Sequence, residues 1–170
     1  RILNNLKNSD VDYDLISLSG GLINNAIPRE AEAIIALDKE YVEQANDIVT
    51  SMLGIFKNEF KTSDPSIVVE MPKIDEKHER ALSEQVQDKI VKVLNLMPRN
   101  SQTMSADIDG LVESSTNLGV VVTENEYIKF EFATRSSVKS LKDDINERME
   151  LLCESIGVEL ELEDDYPEWE

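Results

Sequence analysis

Residues 111–134 carry the pattern that most restricts how this chain can fold. Two extended runs, 111–122 and 127–134, flank the polar junction Thr123-Glu124-Asn125-Glu126, as expected of antiparallel strands joined by a turn. In the second run Ile128, Phe130 and Phe132 alternate with Lys129 and Glu131. A strand sends successive side chains to opposite faces, so this one has a dry face and a wet face. A hairpin of that kind needs a further layer over its dry side.

The rest of the chain supplies cover. Over 39–61, Val42, Ala45, Ile48, Val49, Met52, Ile55, Phe56 and Phe60 recur at three- and four-residue steps, the helical period, and Thr62-Ser63-Asp64-Pro65 stops it. Asp75 is the expected cap of a second helix over 76–97, with Leu82, Val86, Ile90, Val93 and Leu94 inward. Ser136 and Ser137 cap a third, carried by Val138, Leu141, Ile145, Met149 and Leu152 and ended by Gly157. Residues 1–8 read as the end of a helix. Further strands are expected at 13–19, 29–37, 67–71 and 158–162, and the polar stretch 98–105 reads as a loop within the softest segment, 98–108. The predicted architecture is α+β. It is a ferredoxin-like sandwich, a mostly antiparallel sheet with helices on one face, elaborated by an extra strand and helix. At 170 residues it forms a single domain, 1–170.

Charge narrows the partners. With 35 acidic residues against 17 basic ones the net charge is −18, which argues against nucleic acid and against an anionic membrane surface. No apolar run reaches the length of a membrane span. The single cysteine, Cys153, sits in a helical apolar pattern and reads as a buried core thiol, compatible with a cytoplasmic location. The chain begins on Arg1 rather than Met and ends on Tyr166-Pro167-Glu168-Trp169-Glu170, so it reads as a piece of a longer protein.

Catalytic machinery is not in evidence. One histidine, His78, stands among Asp75, Glu76, Lys77 and Glu79 and reads as a solvated side chain. Zinc sites draw on several His or Cys residues, so no metal site is expected here. Glu161, Glu163, Asp164 and Asp165 read as a solvated acidic face, and neither a phosphate-cradling glycine loop nor a nucleophile elbow occurs. The piece by itself is expected to catalyse nothing. Recognition chemistry remains. Arg135 follows the second strand of the hairpin, where its guanidinium either grips a carboxylate by two parallel hydrogen bonds or joins a surface ion pair. Asn25 and Asn117 each lie near glycine, and each either points an amide at a ligand or caps a turn.

Several segments, in order along the chain, carry a family resemblance. Gly20-Gly21-Leu22-Ile23-Asn24-Asn25-Ala26-Ile27-Pro28-Arg29-Glu30-Ala31 resembles the GG-x-x-x-N-A-I-P-R-E-A signature of the aminoacyl-histidine dipeptidases. These are carnosinase-like bacterial members of the aminoacylase/carboxypeptidase clan of di-zinc metallopeptidases. The stretch from Gly110 through Glu113, Asn117 and Gly119 to Val121 resembles the family's G-x-V-E-T-S-x-N-x-G-V-V hairpin, with Arg135-Ser136 following as in the family. Tyr166-Pro167-x-Trp169 resembles the return to the catalytic domain, with Glu168 in place of a glycine, and Asn4-Asn5-Leu6 resembles the helix entering the segment. The resemblance implies the lid, an inserted dimerisation domain, of an enzyme whose catalytic domain holds two zinc ions outside this piece. It implies a dipeptide substrate, the enzyme's own catalytic domain and a second copy as partners. It makes Arg135 the clamp on the substrate carboxylate and Asn25 the polar contact near the oxyanion, with Asn117 competing for that place. Related enzymes often carry an arginine a dozen residues after the Asn-x-Ile-Pro motif; here Ala36-Leu37-Asp38-Lys39 stand there. A non-enzymatic α+β interaction module is the competing reading.

Overall fold

The computed structural model describes residues 1–163. Its elements are α1 (Ile2–Asn8), β1 (Tyr13–Gly20), β2 (Ala31–Leu37), a 3-10 turn (Lys39–Tyr41), α2 (Val42–Glu59), α3 (Glu84–Leu96), β3 (Asn100–Met104), β4 (Val112–Thr123), β5 (Ile128–Ser136) and α4 (Lys139–Ile156). The class is the expected one, α+β, and every strand register described is antiparallel. The chain divides into two compact units. Residues 1–16 and 34–87 form the first, and residues 17–33 with 88 onward form the second.

In the first unit α1 packs on α2. The i, i+3, i+4 spacing read from the sequence buries Ala45, Val49 and Met52 of α2, and Leu3 and Leu6 of α1. Arg1 closes the far end of this pair. Its guanidinium donates to both carboxylate oxygens of Glu59, at 2.5 and 3.0 Å, and lies 5.0 Å from the Phe56 ring centre. That contact holds Glu59 below its usual carboxylate range.

The second unit holds β3, β4 and β5 and the adjoining ends of β1 and β2, in a sheet of order β2-β1-β4-β3 with β5 also on β4. Strand β4 organises it. β5 pairs along β4 from Ser114 to Thr123, so β3 and β1 must share the opposite edge. β3 takes the Val112–Thr116 end and β1 meets Val121 and Val122. Between them, at Leu118 to Val120, the β4–β5 register slips by one residue. Such a bulge inverts the facing of the strand. Burial follows it: Ser114 and Thr116 point inward before the slip, and Val121 after it. The dry face forms where the alternation placed it, with Phe130 and Phe132 packed against Val93, Met97, Ile145, Met149 and Cys153.

Several expected elements differ. The segment 98–105 is not a loop; Asn100–Met104 forms β3, with Thr103 Oγ1 2.6 Å from Ser114 Oγ. Its residues are polar because they gain their place from a ladder, not from an apolar face. Residues 67–71 alternate in exposure like a strand but join no ladder. The second helix starts at Glu84, not at 76. Ser83 is its cap, accepting from the Val86 amide at 3.4 Å, so Asp75 caps nothing. Ser136 lies within β5 and accepts from the Val138 amide, while α4 itself begins at Lys139. Gly157 ends α4 as expected, at φ +64, with the Gly157 and Val158 amides donating to Glu154 and Cys153. The strand expected at 158–162 is absent, yet Val158 and Leu160 still pack on the core.

Candidate functional site

The two motif segments that lie far apart in the chain meet at the bulge of β4. Residues 21–30 leave β1 as a loop and return as β2, with the Gly21 amide donating to the Glu30 carbonyl at 3.3 Å across its neck. The loop folds over the one place on β4 that has no side chain. A Cβ on Gly119 would stand 2.3 Å from the Asn24 carbonyl oxygen and 2.4 Å from its Cα. A Cβ on Gly21, itself at φ +70, would stand 1.8 Å from the Gly119 oxygen. Both contacts lie far inside any van der Waals approach, so glycine is required at both.

Asn117 anchors the same loop. Its Nδ2 donates to the Asn24 carbonyl at 2.9 Å and to the Ala26 carbonyl at 2.8 Å. Asn25 stands between those two carbonyls, exposed at the crest of a turn that the Ala26 amide closes on Ile23 at 3.4 Å. Leu22 is 91% exposed and Ile27 84%, so the loop's apolar residues serve no core. They lie on the surface, as a loop built for shape rather than burial would place them.

Arg135 is half-buried inside β5, which runs two residues past the expected end at 134 instead of stopping before Arg135. It pairs with Ser115, and Asn117 pairs with Ala133. Opposed residues of an antiparallel pair share a face. Arg135, Ser115 and Asn117 therefore lie on one face, while Ser114, Thr116 and Ser136 are buried on the other. The three residues singled out from the sequence thus belong to one loop and two neighbouring strands of the second unit. Gly119 was legible only as part of the motif, and its structural demand appears once the loop is seen against it.

His78 lies outside α3, exposed, with Nε2 3.9 Å from Glu76 Oε2. Glu161 and Glu163 are exposed; Asp164, Asp165 and the Tyr166–Trp169 motif fall outside the described residues. Among the described residues no three His, Cys, Asp or Glu side chains are grouped to hold a metal ion, so this donor set does not fit one. Among them, too, no helix is long and apolar enough to cross a membrane.

In sequence and in fold the chain is similar to dipeptidases, of whose length it spans about a third. It is 29% identical over 161 residues to the cytosol non-specific dipeptidase of Escherichia coli (strain K12), across 95% of this chain and 33% of that protein. The crystal structure of aminoacylhistidine dipeptidase from Vibrio alginolyticus matches with a TM-score of 0.92 at 26% identity, across 99% of this chain and 34% of that one. No family profile matches the chain.

Proposed function

We propose that residues 1–170 are the lid of a longer metallo-dipeptidase, cytoplasmic and homodimeric, that hydrolyses aminoacyl-histidine and similar dipeptides. The observation that carries this reading is the junction of the 21–30 loop with β4 at Asn117 and Gly119, with Arg135 on the same face, in a chain matching a third of a dipeptidase. Arg135 grips the dipeptide's free carboxylate through paired N–H donors, fixing one end of the substrate. Asn25, exposed on its turn, offers an amide donor where charge develops on the scissile carbonyl, a contact of value because it strengthens in the transition state. Asn117 belongs to the same polar rim. Two zinc ions, held by residues outside this chain, would supply a polarised water as nucleophile.

The test is hydrolysis by the full-length protein that contains this chain, read as histidine release from alanyl-histidine, with alanyl-alanine as comparison and EDTA treatment as the metal control. Arg135→Ala should lower kcat/KM by about 2–4 kcal/mol of transition-state stabilisation, the loss typical of a desolvated charge pair. An unchanged kcat/KM removes Arg135 from the site. A full-length protein that cleaves neither dipeptide leaves the interaction-module reading in its place. Light scattering on the same protein reads its oligomeric state, and a monomer removes the dimerisation role.

A further inference from the structure

The sequence leaves Asn117 open between touching a ligand and holding a turn. We infer that Asn117 is a positioning residue: it pins the carbonyls of Asn24 and Ala26, the residues on either side of Asn25, and so sets where the Asn25 amide points. The inference rests on the proposed contact between Asn25 and a dipeptide. An asparagine amide has two N–H donors, and here both are spent, on the carbonyls of Asn24 and Ala26, the residues that flank Asn25. Little else holds the turn. Its internal hydrogen bond, Ala26 to Ile23, is long at 3.4 Å, and its large apolar side chains, Leu22, Ile23 and Ile27, are exposed and do not anchor it. The base it is pinned to is firm. On β4, the neighbours of Asn117 are laddered to β3 at Thr116 and Ser115, and β5 pairs along the other edge. Gly119, two residues on, lets the loop come close enough for both bonds to form.

Asn117→Asp tests the donors with the shape kept. The carboxylate accepts only, so it faces two carbonyl oxygens with no proton to share. Asn117→Ser, smaller and uncharged, serves as a second variant should the carboxylate disturb β4. In the full-length protein, backbone NMR order parameters for Asn24, Asn25 and Ala26 should fall from a rigid value of about 0.85 to below about 0.6 in both variants, while β4 and β5 stay rigid. In steady-state kinetics both variants should lower kcat more than they raise KM. Combined with Asn25→Ala, the double variant should be no slower than Asn25→Ala alone, because a residue acting through Asn25 has nothing left to act on. An unchanged order parameter overturns the inference. So do losses that multiply in the double variant, which would mark an independent contact. A protein that hydrolyses no dipeptide overturns the proposed function instead, and the order parameters still decide whether Asn117 pins the turn.

Discussion

Gly119 shows how one absent side chain can decide the position of a loop. The Asn24 backbone occupies the space an alanine methyl would need, with contacts of 2.3 to 2.5 Å to that Cβ. Gly119→Ala should therefore destabilise the chain by about 1–3 kcal/mol, the usual range for overpacking a tight site. Urea denaturation measures it, and a change within error would mean the loop moves aside freely. Cys153 makes a different residue-scale case. It is 3% exposed, and burial pushes its thiol up from the ordinary value. A raised thiol means the folded state keeps its proton longer than the unfolded chain. Its stabilising contribution is thus present below the unfolded value of about 8.5 and is lost as pH rises through the folded one. The stability difference between the native chain and Cys153→Ala should narrow on going from pH 7.5 to alkaline pH; a widening gap would contradict the sign. At this scale residue identities were legible in the sequence, as with Cys153 in its apolar stripe. The partners of Asn117 were not, because they lie more than 90 positions away.

Helices with long apolar stripes, such as α2 and α4, appear where the period placed them, since burying one face of a helix needs no knowledge of its neighbour's register. Their starts were less legible. Both Asp75 and Ser83 have capping side chains, but only Ser83 is followed by the chain that turns inward, and it holds the Val86 amide. Ser83→Ala should cost about 1 kcal/mol of stability while Asp75→Ala should be neutral. Thermal melts of the two variants check this, and equal losses would restore the earlier helix start. Strands were harder in both directions. β3 has no apolar alternation and still forms, because β4 offers it an unpaired edge. The segment 67–71 has the β-branched composition and forms no ladder. A strand is completed by its neighbour, and composition carries only half of that decision.

For the whole molecule, the net charge of −18 sets a long-range term that no single contact reveals. Like charges on a folded chain repel, and dissolved ions shorten that repulsion to about 8 Å at physiological ionic strength. Raising NaCl from about 0.01 to 0.15 M should therefore raise the melting temperature by a few degrees. A fall would mean that attractive pairs such as Arg1–Glu59 outweigh the repulsion. The class of fold was legible from the alternation of half-wet strands with amphipathic helices, and the candidate segments from their residues in order. By itself the sequence determined which faces had to be dry and which segments carried the family's motifs in order. Tertiary structure alone decided that β3 would be a strand, that the loop of residues 21–30 would rest on Gly119, and that Asn117 would spend both donors on either side of Asn25. The reason is that periodicity is a property of one segment, whereas a register, a close approach and a long-range hydrogen bond each require two segments already brought together.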